Sequence, residues 1–156
     1  MDWYSVLESV VQILVIGVTA VGVTWYYNKK QLELSNDEFQ RNLFIEFNKR
    51  YDALNDGLHE VLELQQKSEL LSFKKLSLKS PESVKCLNDY LNLCAEEYFW
   101  FKKGRVDEVV WRSWSIGMKW WHAKLQPLQE LWKDEKDNGN FQSYYLESGE
   151  DLFGIN

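Results

Sequence analysis

Twenty consecutive positions without a formal charge, Ser9 to Asn28 (SVVQILVIGVTAVGVTWYYN), dominate the pattern of apolar and polar residues along the chain. At about 1.5 Å of rise per helical residue, such a run covers roughly the 30 Å hydrocarbon core of a bilayer. A buried helix of a soluble protein rarely runs so long without a polar face. A cleaved signal peptide would begin with basic residues and close on small ones. Here the entry is Met1-Asp2-Trp3-Tyr4 and the exit is Trp25-Tyr26-Tyr27. Aromatic residues at both ends match the belts that form at the two membrane interfaces. The pattern therefore predicts an uncleaved membrane-spanning helix within residues 1–34, anchored by Trp3, Trp25 and Tyr26. Gly17, Ala20 and Thr24 fall at i, i+3 and i+7, a face of small residues of the kind that lets membrane helices approach closely.

Beyond the span the period changes, and residues 35–156 read as a separate helical domain. Lys29 to Leu34 continue the first helix, and Ser35-Asn36-Asp37-Glu38 reads as a capping box that starts a new one. Phe39, Leu43, Phe44, Phe47, Tyr51, Leu54 and Leu58 then recur at threes and fours, with Val61 and Leu62 in phase. Gly57 is the expected place for a kink or a division. Lys67 to Ser80 loses the period and predicts a connection holding a short turn of helix. Ser80-Pro81-Glu82 supplies a cap, a proline in the first turn and an acid at the positive end of the helix dipole. Val84, Leu87, Tyr90, Leu91, Cys94, Tyr98 and Phe101 form the inward stripe of that helix, and Lys102-Lys103-Gly104 ends it. Asp107 caps the next helix, which runs to about Leu125 with Val110, Trp111, Trp114, Met118 and Trp121 inward. Pro127 opens a short last helix carrying Leu128, Leu131 and Trp132. After a polar break at Lys133 to Asn140, the apolar residues Phe141, Tyr144, Tyr145, Leu146, Leu152 and Phe153 suit a tail that docks back. No strand pattern occurs. The fold class is all-α: one N-terminal transmembrane helix followed by a compact antiparallel bundle of about four helices.

Charge orients the span. Asp2 and Glu8 are the only charged residues before Lys29, whereas all 18 Lys and Arg and 22 of the 24 acidic residues follow it. Lys29 and Lys30 immediately after the run place the N-terminus outside and the remainder in the cytoplasm by the positive-inside rule. Glu8 lies one turn inside the apolar edge and reaches headgroup level; its alternative role is to line a pore or touch a partner. A net charge of -6 with interspersed signs leaves no footprint for nucleic acid.

Candidate chemistry is sparse. Cys86 and Cys94 lie about 12 Å apart along one helix by rise alone, beyond disulfide reach, and read as buried reduced thiols. Asp56-Gly57-Leu58-His59 has the carboxylate-to-histidine spacing of a bundle metal site, but no second copy exists, and His59 reads as solvent-facing. His122 lacks a carboxylate three or four residues away. Glu96 and Glu97 point about 100° apart, so at most one faces the core squarely, and a buried Glu97 would pair with Arg105 or Arg112. No phosphate loop, nucleophile–base pair or zinc spacing is present. No catalytic residue, cofactor or metal is expected.

Aromatic density is what rises above background. Trp100, Trp111, Trp114, Trp120, Trp121 and Trp132 fall within 33 positions. Some must be core. Trp100, Trp120, Trp121 and Trp132 are the candidates for a contact surface, because tryptophan is enriched at protein interfaces and membrane headgroups.

The run Tyr90 to Tyr98 (YLNLCAEEY), followed by Phe101-Lys102-Lys103-Gly104-Arg105-Val106-Asp107 and Val110-Trp111, resembles an uncharacterised family of small bacterial membrane-anchored helical proteins, a domain of unknown function. The shared layout is an aromatic or acidic helix, a basic-Gly break, an apolar-Asp helix start, then Trp, with a proline about 20 residues after the Asp, where Pro127 stands. It covers about residues 39 to 135 and brings no catalytic residue. The resemblance implies a bacterial inner-membrane setting, and the layout is similar to small membrane proteins that accompany mobile elements and phage-defence loci. Two functions follow as expectations. One is a non-enzymatic module, anchored in membrane lipid, that presents its aromatic-rich domain to a protein partner. The other is an oligomerising effector whose spans, through Gly17, Ala20, Thr24 and Glu8, assemble and permeabilise the bilayer.

Overall fold

The computed structural model describes residues 2–67 and 72–154, with the side chain of Phe141 left aside. The described residues are all-helical: α1 (Trp3–Lys67), α2 (Phe73–Lys79), α3 (Pro81–Lys102), α4 (Glu108–Lys124) and α5 (Gln126–Asp137), then a 3-10 turn over Asn140–Tyr144. The all-α expectation holds. The chain divides into two compact units, Met1–Phe39 and Gln40–Asn156.

The first unit is helical from Trp3, and every residue from Asp2 to Phe39 is exposed. Its apolar stretch is long and apolar enough to cross a membrane. Helical backbone satisfies its own amides, as a hydrocarbon environment demands. Thr19 returns its hydroxyl to the Val15 carbonyl at 2.7 Å, so that polar group is also satisfied within the helix.

Ser35 does not begin a new helix. The segment Ser35–Glu38 has the composition of a capping box, but α1 passes through it without a break. A cap works only where the preceding residue leaves helical geometry. Lys29 to Leu34 and Phe39 to Arg41 contain no Gly or Pro and many strong helix formers, so nothing interrupts propagation. Nor does Gly57 divide the helix. A Cβ there would lie 2.6 Å from Cys86 Sγ, so the glycine admits close approach of α3. The Cys86 thiol donates to the Leu54 carbonyl at 3.6 Å along the same seam.

The second unit closes over one core that includes Leu58 and Val61 of α1, Leu76 of α2, Leu87 and Leu91 of α3, and Leu128 and Trp132 of α5. Helix ends follow local chemistry. Ser72 Oγ accepts from the Lys75 amide at 3.2 Å to start α2. Residues 68–71 of the expected connection lie outside the described residues. Ser80 caps α3 by accepting the Ser83 amide at 3.3 Å, with Pro81 in the first turn. Gly104 takes a left-handed φ of 64° and its amide reaches the Phe101 carbonyl at 2.8 Å, while the Arg105 amide reaches Trp100 at 3.0 Å. That closes α3 on a residue without Cβ strain. Asp107 caps α4 through the Val109 amide at 2.8 Å.

The tail packs on this core. Tyr144, Leu146, Leu152 and Phe153 are buried, whereas Tyr145, expected among them, is exposed at φ 59°. The expected docking of Phe141 lies outside the described residues. Phe153 stacks on His122 at 4.2 Å between ring centroids and meets Trp132 edge-on at 5.8 Å. Asp151 clasps the corner: it accepts from Trp132 Nε1 at 3.2 Å, from its near neighbour Phe153 N at 2.9 Å and from Lys136 Nζ at 2.6 Å.

Candidate functional site

Helix phase decides which tryptophans can meet a partner. Trp121 is 3% and Trp132 1% exposed, so neither belongs to a contact surface, contrary to the sequence expectation. Both carry a ring that the core needs and an indole N–H that must be satisfied when buried. Trp121 Nε1 donates to the Tyr51 hydroxyl at 2.9 Å, and Trp132 Nε1 is held by Asp151. Trp100 is half-buried edge-on against Phe99, with centroids 5.2 Å apart. Trp120, one step off the inward stripe, is 46% exposed.

Trp120 does not stand alone. The outward positions of α4 are Glu108, Val109, Arg112, Ser113, Ile116, Lys119, Trp120, Ala123 and Lys124, all exposed. Val109, Ser113, Ile116 and Trp120 follow i, i+4, i+7 and i+11, a straight stripe on a helix. Three of the four charged side chains among these positions are basic, in a chain of net charge -6. None of Arg112, Lys119 and Lys124 has an ion pair among the described residues.

Inside this face lies a cleft of about 460 Å³ between α1, α3 and α4. Phe44, Val110, Trp114 and Met118 give it apolar walls, with Asn48, Ser113 and Glu97 as polar points. Trp114 is fixed by Phe44, stacked at 6.1 Å, and by Phe47, edge-on at 5.6 Å. Glu97 is 6% exposed and belongs to the same wall as Tyr90. Its expected partners, Arg105 and Arg112, are not what faces it. The cation that acts on it is Arg50, which is itself held bidentate by Glu96 at 2.6 and 3.0 Å. Burial pushes the Glu97 carboxyl up to about 8, against the pull of Arg50 and with the neighbouring Glu96 charge adding to the rise. Among the described residues no hydrogen bond reaches it. Among the described residues every wholly enclosed side-chain nitrogen and oxygen has a partner, so this carboxyl is reached through the cleft.

The remaining candidates carry no chemistry of this kind. No group of three His, Cys, Asp or Glu that could hold a metal occurs among the described residues. His59 is exposed and edge-on to Trp121 at 5.0 Å, while buried His122 is held towards its neutral form by desolvation. Cys94 is buried and Cys86 half-buried; desolvation raises both thiols, Cys86 to about 11, which suppresses the nucleophilic thiolate. In the first unit Trp3, Glu8, Gly17, Ala20, Thr24, Trp25, Tyr26, Lys29 and Lys30 are all exposed. The Lys29 ammonium lies 5.5 Å from the Trp25 ring centroid, and Lys30 lies 3.9 Å from Glu33.

Sequence reasoning missed the cleft because its walls come from three helices. Asn48 and Tyr51 sit on α1, Glu97 on α3 and Ser113 on α4, and no local spacing connects them. An acid in phase with the apolar stripe of α3 was the one available signal. Comparison of the chain with protein-family models, with curated proteins and with solved structures found no match.

Proposed function

We propose that this chain is a non-enzymatic, membrane-anchored interaction module. Its N-terminal helix spans the bacterial inner membrane with the N-terminus outside, and the remainder is a compact antiparallel helical bundle in the cytoplasm. The bundle presents the outward face of α4 to a protein partner. That face is the observation that carries the reading: Val109, Ile116 and Trp120 form an exposed apolar stripe flanked by Arg112, Lys119 and Lys124, with Glu108 the one acid beside them at the start of the helix. An exposed aromatic anchor beside unpaired charge is the composition of a recognition patch, and basic rim charge steers an acidic partner. Anchoring adds effective concentration for partners held at the same membrane. Lys29 and Lys30 after the span support the orientation.

The test is photocrosslinking in native cells from a reactive amino acid at Ile116, with Lys74 of α2 as the comparison site. A discrete heterologous adduct at Ile116, lost on combining Arg112→Glu, Lys119→Glu and Lys124→Glu, is expected. No adduct at Ile116, or one insensitive to charge reversal, overturns the α4 surface. A ladder of self-adducts would transfer the reading to an assembly of copies, as in a bilayer-permeabilising effector.

A further inference from the structure

The cleft between α1, α3 and α4 shares Val109 and Ser113 with the outward face of α4, but the ligand argued for it rests on Glu97 and the aromatic walls and not on that face. The cleft's volume of about 460 Å³ falls within the range of small-molecule sites, roughly 300–1,000 Å³. Its walls hold four aromatic side chains, Phe44, Tyr51, Tyr90 and Trp114, and one acid. No Lys or Arg lines it. The nearest cation, Arg50, is taken by both oxygens of Glu96. Glu97 thus waits in an apolar recess, more than nine-tenths buried, with no hydrogen bond from the described residues.

We propose that this cleft binds a small apolar amine, whose ammonium is received by the Glu97 carboxylate and whose body lies against Phe44, Val110, Trp114 and Met118. An anion finds no lining cation. A neutral ligand leaves the carboxyl with a weaker partner than an ammonium would give it. Aromatic faces around the acid add cation–π attraction in a desolvated setting. The net charge of -6 draws cations towards the chain.

Binding carries a proton balance. The Glu97 carboxyl holds its proton at neutral pH, and the arriving ammonium keeps its own, so the carboxyl proton leaves to solvent as the ion pair forms. The groups facing Glu97 are Arg50 and Tyr51 of α1 and Tyr90, Cys94 and Glu96 of α3; the α4 residues lining the cleft are uncharged. Burial raises Tyr90 and the Cys94 thiol and so holds both neutral across pH 6.5 to 8, the window in which Glu97 titrates.

The experiment is calorimetric titration of the full chain in lipid nanodiscs with three probes that share one ring: tryptamine, tryptophol and indole-3-propionate. Tryptamine should bind at least tenfold more tightly than tryptophol, and indole-3-propionate should not bind. Tryptamine affinity should rise on the order of tenfold from pH 6.5 to 8, with proton release visible as a buffer-dependent heat. Glu97→Gln, which keeps the shape and removes the charge, should erase both the tryptamine preference and the pH dependence. Its thermal transition must be as sharp as that of the parent, which separates a lost ligand from a lost fold. Equal binding of tryptamine and tryptophol, binding unchanged in Glu97→Gln, or no tryptamine binding at pH 8 overturns the proposal.

Discussion

Glu97 is the residue at which folding and titration pull in opposite directions. In the unfolded chain its carboxyl ionises in the ordinary range near 4.5; in the fold, burial holds the proton on up to about 8. Between those values the native state binds more protons than the unfolded state, so stability falls as pH rises. Above about 8 both states are ionised and this loss is complete. Glu97→Gln removes the dependence, so the variant should gain on the order of 3 kcal/mol relative to the parent between pH 5 and 8.5, read as the difference of two denaturant midpoint series. A constant difference across that window would place the acid outside the apolar recess. This residue was half legible in the sequence. One acid within the apolar stripe of α3 could be seen to face inward, but its cation lies 47 positions earlier on another helix, and spacing alone offered Arg105 and Arg112. Trp121 and Trp132 carry the same lesson from the other side. Their composition suggested a surface, while their place on the apolar faces of α4 and α5 puts them in the core.

Elements were legible where their ends are local. Ser80 with Pro81, Gly104 and Asp107 each terminate or start a helix through partners within four residues, and such signals survive without knowledge of the fold. Ser35 shows the limit, because a motif for starting a helix has no effect inside one that nothing stops. Gly57 shows another: it was read as a weak point of α1, whereas its role lies across the interface, under Cys86. Gly57→Ala should therefore destabilise the protein by about 1–3 kcal/mol, although alanine favours an exposed helix over glycine by roughly 1 kcal/mol. Adding Cys86→Ala, which removes the sulfur 2.6 Å from the new methyl, should recover much of that loss. Strict additivity in this double-mutant cycle would mean that the two helices do not meet there.

For the whole molecule, asymmetry of charge about the apolar helix is what the proposed orientation rests on. The proposed orientation puts Lys29 and Lys30 on the cytoplasmic side, so a reporter that fluoresces only in the cytoplasm, fused after Asn156, should be active, and a periplasmic phosphatase fused there should be silent. Exchanging the flank charges, with Asp2→Lys, Glu8→Lys, Lys29→Gln and Lys30→Gln together, should shift a measurable fraction of molecules to the opposite reporter pattern. Equal reporter activity in both versions would remove charge as the orienting term. The all-α class and the apolar first helix were legible because both are statements about periodicity. The cleft was not, since a cavity belongs to the gaps between helices and leaves no trace in any one of them.

The seam between Gly57 and Cys86 also gives the chain an internal clock. The two thiols of α3 sit at different depths, Cys86 half-covered against α1 and Cys94 fully enclosed two turns on. Alkylation requires a thiolate that both environments suppress, so each sulfur reacts chiefly while its surroundings are open. Modification of Cys86 then times the breathing of a single helix–helix contact, and modification of Cys94 times the opening of the entire core. In a mixture containing a small amine, Cys94 labelling by mass spectrometry should slow in step with any ligand that fastens α3, with no dye or added cysteine needed.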